Sequence, residues 1–214
     1  QESRGLGDVY KRQGQASLIG AGHQTAVLRS AAYGSPMAEY QDEMAGVGYY
    51  KFIEDLEKNF QEKKDEIVAG LQNAMAEIIR KDSFMVSYTG ERESVEQVKT
   101  LSGALKKSLP ESTCEVPETA ITCRKKNEGF KTSGQVQYVA QTGNFKKKGL
   151  EYTGALEILK VILSYDYLWI NLRVKGGAYG CMSGFKRNGE SYLVSYRDPH
   201  LKRTLDVYKG IPEY

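Results

Sequence analysis

The strongest constraint on the fold is an apolar segment from Tyr152 to Leu172, which runs directly into a glycine-rich turn at Gly176–Gly180. Its bulky apolar residues fall on nearly all sides of a helix: Leu156, Ile158, Leu159, Val161, Ile162, Leu163, Leu168, Trp169, Ile170 and Leu172. A helix that is apolar all round is typical of the centre of a packed domain. The sequence therefore predicts a buried helix over 152–172 that ends in the glycine turn.

Segments with the pattern of β-strands lie on both sides of this helix. Asn188–Gly189 separates Cys181–Arg187 from Ser191–Arg197, and Asn-Gly between two such segments is a strong signal for a β-hairpin. Asp198–Pro199 ends the second strand, and a helix is expected over Leu201–Val207. Two more strands are predicted upstream, at Ile121–Lys126 and Gln135–Gln141.

The first half of the chain has mostly helical periodicity. Ser35 followed by Pro36 is typical of an N-cap and first helical position, which predicts a helix over Pro36–Ala45. Apolar residues then recur at helical spacing from Phe52 to Ile78, with a break at Phe60–Gln61. Further elements are predicted as helices at Leu18–Ala32 and Ser94–Lys107, and as a strand at Phe84–Tyr88.

Together these elements predict an α+β fold of two partial domains, a helix-rich one followed by a mostly antiparallel sheet packed on helices. The linker is expected at 109–118, where Pro110 and Pro117 interrupt the periodicity, so that the domains are 14–108 and 119–214. Residues 1–13 are set apart because Ser3–Gln13 looks like the translation of a transposon-end sequencing adapter. We expect no biological role for them, and the alternative is a natural flexible N-terminus.

Composition excludes several classes of protein. With 40% apolar and 27% charged residues, and no apolar run near the length of a membrane span, the chain reads as a globular protein with no membrane partner, expected in the cytoplasm. A net charge of +3 over 214 residues is too weak to indicate a nucleic-acid partner. The three cysteines match no metal motif and favour reduced thiols, and His23 and His200 stand too far apart for a zinc motif.

The densest candidate for chemistry is the segment Arg173–Gly180. It places a permanent cation, Arg173, and a phenol, Tyr179, six positions apart across a turn where Gly176 and Gly177 let another backbone approach. Such a pair can hydrogen-bond a peptide carbonyl and stabilise an oxyanion. The alternative is structural: Arg173 caps the last carbonyls of the helix and Tyr179 packs in the core.

Two other features have a functional and a structural interpretation. Lys146–Lys148 and Arg124–Lys126, with Tyr138 and Phe145 nearby, could bind single-stranded nucleic acid. A solvated loop explains these residues better, because no recognised nucleic-acid motif accompanies them. His23, in an alanine-rich helix, is interpreted as a packed or capped histidine rather than a ligand.

Longer motifs point to a family. Arg173–Gly180, with Ile158–Trp169 before it and Ser195–Tyr196–Arg197–Asp198–Pro199 after it, resembles the C-terminal half of the insulinase/pitrilysin metallopeptidases, in the presequence-protease branch. Gly22–Arg29 and Gly48–Leu56 are similar to the helical region that precedes this half. The resemblance covers Leu18–Tyr214, and it implies that 14–108 is the end of the third, helix-rich domain and 119–214 a truncated fourth domain.

The resemblance implies a zinc metalloendopeptidase that degrades short, unfolded peptides. In that family the N-terminal half carries an inverted zinc motif, whose glutamate is the general base, and the C-terminal half supplies an Arg and a Tyr that bind the substrate. Only Arg173 and Tyr179 match functional residues here, with Tyr179 catalytic and Arg173, Tyr179, Gly176 and Gly177 binding substrate. Zinc would be held by the N-terminal half, in cis or in trans, and this chain alone would be inactive.

The competing interpretation is a non-catalytic Arg/Tyr partner or scaffold subunit of an insulinase-family heterodimer. It predicts a start codon just upstream of Gly14, whereas the enzyme predicts an in-frame His-x-x-Glu-His far upstream.

Overall fold

A computed structural model describes residues 2–111, 123, 126–132 and 134–214. The chain divides into two compact units, one formed by Gln1–Glu57 together with Ile121–Tyr214 and the other by Lys58–Ala120. This division places residues from both ends of the chain in one unit, because a helix near the start of the chain packs on strands formed by its second half. The succession of domains over 14–108 and 119–214 stays a prediction.

A three-stranded antiparallel sheet is the centre of the first unit. Its strands are β1 (Ala140–Asn144), β2 (Gly180–Phe185) and β3 (Glu190–Tyr196), in the order β1-β3-β2. The predicted hairpin is confirmed, because β2 pairs with β3 and Gly189 in the turn has a φ of 91°. The strand predicted at Gln135–Gln141 begins later, and Gln137 forms only an isolated bridge with Asp198.

One face of the sheet packs on the apolar segment, which consists of α7 (Ala155–Ile162) and a π-helix (Leu163–Val174). The helix prediction is confirmed, but burial on all sides is wrong among the described residues. Only the row that faces the sheet is buried, and it consists of Leu163, Leu168 and Leu172. These residues pack with Val139, Ala178 and Tyr208 in the core. The row opposite is exposed, because no described element covers it: Ile158, Val161, Ile162, Trp169 and Ile170.

Helix α2 (Gly22–Ala32) packs on β1 and β3, on the other face of the sheet. It is preceded by α1 (Glu2–Gly20) and followed by α3 (Pro36–Ala45) and α4 (Val47–Lys58), so the helix predicted over 18–32 is divided at Ala21. On α2, Ser30 Oγ lies 2.9 Å from Thr142 Oγ1 of β1. The N-cap prediction is confirmed, because Ser35 Oγ accepts a hydrogen bond from Ala38 N.

A buried ion pair fixes these helices to one another. Asp42 is 1% exposed, and its carboxylate accepts hydrogen bonds from Val47 N and Gly48 N at the start of α4. Arg29 of α2 donates to the same carboxylate at 2.6 Å and to Glu128 at 2.9 Å. Because each carboxylate has a cation and further donors, this cluster satisfies the charges that it buries.

The second unit contains α5 (Phe60–Ile78) and α6 (Val95–Ser108), which confirms the predicted helices and the break near Phe60. The strand predicted at Phe84–Tyr88 is wrong, since these residues are irregular and pair with no strand in the part of the chain that is described. Most of the predicted linker at 109–118 and of the predicted strand at Ile121–Lys126 lies outside the described residues.

The last helix, α8 (Leu201–Lys209), confirms the prediction for Leu201–Val207. Its start is held by Asp198, which is 1% exposed and accepts hydrogen bonds from His200 N at 2.8 Å and Thr204 Oγ1 at 2.6 Å. Helices on both faces of a small antiparallel sheet make this an α+β fold, as predicted. In the part of the chain that the structure describes, every helix is too short or too polar to cross a bilayer.

Candidate functional site

The glycine turn joins the end of the π-helix to the first residue of β2. Ala178 N donates to Leu172 O and Gly177 N donates to Arg173 O, both at 2.9 Å, so the turn folds back on the last helical residues. Gly177 has a φ of 79°, and a Cβ on Gly176 would lie 2.5 Å from Leu172 O. Both positions therefore require glycine for the backbone of the turn itself.

This turn brings Arg173 and Tyr179 together, in agreement with their spacing of six positions across the turn. The Arg173 Nη1 group donates a hydrogen bond to the Tyr179 carbonyl oxygen. The guanidinium carbon lies 5.3 Å from the centre of the Tyr179 ring and 4.3 Å from that of Trp169. A cation at these distances over aromatic faces is attracted by the rings, so Arg173 is held between Trp169 and Tyr179.

The positions of Arg173 and Tyr179 differ from the structural alternative, in which Arg173 caps its own helix and Tyr179 packs in the core. Tyr179 is 62% exposed and so is not part of the core, and Arg173 donates to the carbonyl of Tyr179 rather than to a carbonyl of its own helix. Among the described residues, the Tyr179 hydroxyl makes no hydrogen bond. The phenol is therefore free to donate to a ligand.

One more group near the cation is a thiol. Burial raises the pKa of Cys181 to about 11, and the nearby Arg173 cation opposes part of this effect. A thiol with such a pKa is protonated at neutral pH and is a poor nucleophile. Cys181, which is partly buried against the core on the π-helix side of the sheet, therefore contributes to packing.

Sequence reasoning missed the aromatic residues that continue the site. The Tyr196 ring lies 5.8 Å from the Tyr179 ring, and the His23 ring lies 5.0 Å from Tyr196, edge to face. Tyr138 completes the cluster at 5.5 Å from Tyr196. No local pattern could have indicated this cluster, because its members come from α2, from the segment before β1 and from the end of β3.

Other candidate positions lie elsewhere. A cavity of about 810 Å³ between the π-helix and α8 is lined by residues such as Asn171, His200 and Arg203, and by neither Arg173 nor Tyr179. In the basic run, Lys147 Nζ donates to the Gly34 carbonyl at 2.5 Å and Lys146 lies 3.8 Å from Glu151. Within the described ranges, no three His, Cys, Asp or Glu side chains lie close enough to hold a metal ion.

Comparisons with known proteins agree with the motifs. A family model described as the PreP C-terminal domain matches residues 127–214. Protein HypA of Clostridium perfringens is 41% identical over 200 residues, which are 94% of this chain and 20% of that protein. Presequence protease 1 of Arabidopsis thaliana, chloroplastic/mitochondrial, is 29% identical, with 92% of this chain and 18% of that protein covered.

A third relative, the mitochondrial presequence protease of Yarrowia lipolytica, is 30% identical over 92% of this chain and 20% of its own length. The chain therefore spans about a fifth of the length of these curated relatives. Both the domain match and the relatives cover the segment with Arg173, Tyr179 and the glycine turn. On these grounds residues 127–214 match the PreP C-terminal domain, and the chain as a whole is similar to part of the presequence proteases.

Proposed function

We propose that this chain supplies the substrate-binding Arg173–Tyr179 part of a zinc metallopeptidase that degrades short, unfolded peptides. The observation that carries the proposal is the pairing of a fixed guanidinium with an exposed phenol whose hydroxyl has no partner among the described residues. The match of residues 127–214 to the PreP C-terminal domain and the similarity to presequence proteases support the choice of a peptide as ligand.

The two side chains have different tasks in this proposal. Arg173 uses one amino group to hold the Tyr179 carbonyl, which leaves other N–H groups of the guanidinium to donate to a carbonyl of the peptide backbone. The Tyr179 hydroxyl donates to the oxygen of the scissile peptide group as negative charge develops on it. A donor fixed before the reaction stabilises that charge without reorganisation.

Gly176 and Gly177 contribute by having no side chain. Gly176 is buried and its missing Cβ leaves room for Leu172 O, so the open side of the turn is at Gly177, which is exposed and close to the cation. An extended peptide can then approach the turn closely enough to reach both Arg173 and Tyr179.

The residues described here do not fit zinc, because they bring no set of ligands together. In the proposal zinc would be bound by another part of a longer protein, in cis or in trans, and would supply a Lewis acid there. This chain by itself is then inactive towards peptides.

The three cysteines favour a reducing, cytoplasmic compartment, and this stays a prediction. The absence of a nucleic-acid or membrane partner also stays a prediction.

The test compares Tyr179→Phe with the unchanged full-length gene product in the hydrolysis of a short unstructured peptide. We expect kcat to fall by about tenfold to a thousandfold, the range seen when one oxyanion donor is removed. Tyr165→Phe is the matched control, because Tyr165 is also an exposed tyrosine, at 70%, and lies on the helix that carries Arg173, outside the glycine turn. An unchanged kcat in Tyr179→Phe would remove this residue from the mechanism.

Arg173 is tested by Arg173→Lys in the same protein. Lysine keeps the positive charge but loses the planar fork that bonds the Tyr179 carbonyl while lying over Trp169. We expect the KM for the peptide to rise, because the cation holds the substrate in the ground state as well.

The alternative is the non-catalytic subunit of a heterodimer. It would be favoured if the full-length product had no peptidase activity alone and gained activity only when a separate zinc-bearing chain was added.

A further inference from the structure

The direction of the Tyr179 hydroxyl depends on what holds its ring. The hydroxyl itself is bonded to no described residue, and the ring is 62% exposed. Among the described residues, the ring lies against the Arg173 guanidinium on one side and the Tyr196 ring, at 5.8 Å and inclined by 63°, on the other. The backbone is also fixed there, because Tyr179 N donates to the Tyr196 carbonyl at 3.0 Å.

Tyr196 is in turn held from the opposite face of the sheet. The His23 ring of α2 meets it edge to face, at 5.0 Å and 89°, and the Tyr138 ring lies 5.5 Å away. Edge-to-face pairs of rings are favourable beyond the area that they bury. The rings of His23, Tyr196 and Tyr179 thus form a continuous row from α2 to the candidate site.

Two features of the backbone indicate that the neighbours of this row, Tyr138 and the segment after Tyr196, are tightly constrained. A Cβ on Gly22, next to His23, would lie 2.4 Å from the Tyr138 ring, so the ring can take its place only beside a glycine. Beyond Tyr196, the backbones of Gln137 and Asp198 exchange two hydrogen bonds of 2.8 Å. The segments that carry Tyr138 and Tyr196 are therefore fixed side by side.

His23 itself has an unusual property. Its Nδ1 atom is buried and has no hydrogen-bond partner among the described residues. An unpaired buried polar atom is unfavourable, so a hydrogen bond within the described part of the chain does not explain why a histidine is found at this position. What the structure does use is the imidazole ring, against Tyr196.

We infer that His23 is a positioning residue for Tyr179, acting through the ring of Tyr196. This inference rests on the proposed function, because it concerns the orientation of the phenol that donates to the substrate. Helix α2, which is far from the glycine turn in the sequence, then belongs to the peptide site.

The first test follows the Tyr179 ring in this chain, with ¹³C-labelled tyrosine and NMR. The Tyr179 signal is identified by its loss in Tyr179→Phe. We expect His23→Ala to shift it, and His23→Phe to return it close to the original position, because phenylalanine restores an edge for Tyr196. Gln24→Ala, an exposed neighbour on α2, is the control and should leave the signal in place.

If His23→Ala fails to fold, as judged by circular dichroism, Tyr138→Leu is used instead, because the Tyr138 ring also lies against Tyr196. A Tyr179 signal that does not respond to His23→Ala or to Tyr138→Leu overturns the inference. This readout does not involve activity, so it can fail while the proposed function stands.

The second test measures kcat and KM in the full-length gene product. We expect His23→Ala to lower kcat by about twofold to tenfold, the equivalent of one ring contact, with KM unchanged and with recovery in His23→Phe. In a Tyr179→Phe background the same change should have no further effect. Equal losses in both backgrounds would overturn the inference, whereas an unchanged kcat in Tyr179→Phe would overturn the proposed function itself.

Discussion

Two glycines close together in the sequence have different surroundings at the junction of α1 and α2. A Cβ on Gly22 would lie 2.4 Å from two ring carbons of Tyr138, whereas a Cβ on Gly20 would meet nothing within 4 Å. We expect Gly22→Ala to lower the free energy of unfolding by about 1–3 kcal/mol, because the Tyr138 ring must leave its place. Urea unfolding followed by near-ultraviolet circular dichroism measures the change.

Gly20→Ala is the matched control for this prediction. Alanine has a higher helix propensity than glycine, so this variant should be as stable as the wild type or more stable by up to about 1 kcal/mol. Equal stability of the two variants would contradict the role assigned to Gly22.

The candidate site could be predicted only in part at the scale of single residues. Arg173 and Tyr179 are separated by one short turn, so local geometry alone brings them together. His23 and Tyr138 could not be assigned to the site from sequence, because their contacts with Tyr196 depend on how α2 and the segment before β1 pack on the sheet. Trp169 was identified as an apolar residue, but its contact with the Arg173 guanidinium was not.

At the scale of elements, Glu190 joins the start of α3 to the β-hairpin. Its carboxylate accepts hydrogen bonds from Ser35 Oγ at 2.8 Å and Lys186 Nζ at 2.9 Å. Partial burial alone would raise the pKa of Glu190, but these hydrogen bonds outweigh it and hold the pKa below the ordinary value of 4.5. The ionised carboxylate therefore contributes to stability.

We expect Glu190→Gln to lower the free energy of unfolding by about 1–2 kcal/mol at pH 7, because an amide accepts a weaker hydrogen bond from Lys186 than a carboxylate does. A group whose pKa is lower in the folded state stabilises that state above its unfolded pKa. The difference between wild type and variant should thus be complete above pH 4.5 and disappear as the pH falls through the lowered native pKa.

The matched control is Glu151→Gln, since Glu151 is 82% exposed and lies 3.8 Å from Lys146. An exposed pair of this kind contributes little, so the variant should differ from wild type by less than about 0.5 kcal/mol at every pH. A Glu190→Gln effect that persists unchanged at pH 3 would contradict the charge-based explanation.

Elements defined by local chemistry were predictable, and elements that need a distant partner were not. Ser35–Pro36 and Asn188–Gly189 each satisfy their backbone groups within a few residues, and both were predicted. Phe84–Tyr88 alternates like a strand, but a strand also requires a neighbour, which the described residues do not supply. The π-helix at Leu163–Val174 could not be distinguished from an α-helix by the spacing of its apolar residues.

At the scale of the whole molecule, apolar rows remain uncovered in both units. On α7 and the π-helix the exposed row includes Ile158, Val161 and Tyr165, at 64%, 55% and 70% exposure. On α5 the row is Val68, Leu71, Met75 and Ile78, all more than half exposed. The prediction of a helix buried on all sides is wrong because the described residues cover only one side of it.

Uncovered apolar rows of this size promote association in water. We therefore expect this chain to sediment with a mass that rises with protein concentration. The combined variant Ile158→Gln, Val161→Gln and Tyr165→Gln should reduce that rise, because it removes apolar surface that the fold of the first unit does not use. The combination Glu157→Gln and Lys160→Gln is the control, since it changes polar positions of the same helix and keeps the net charge. If both combinations sediment like the wild type, the row on α7 does not drive association, and the uncovered row on α5 becomes the surface to change next.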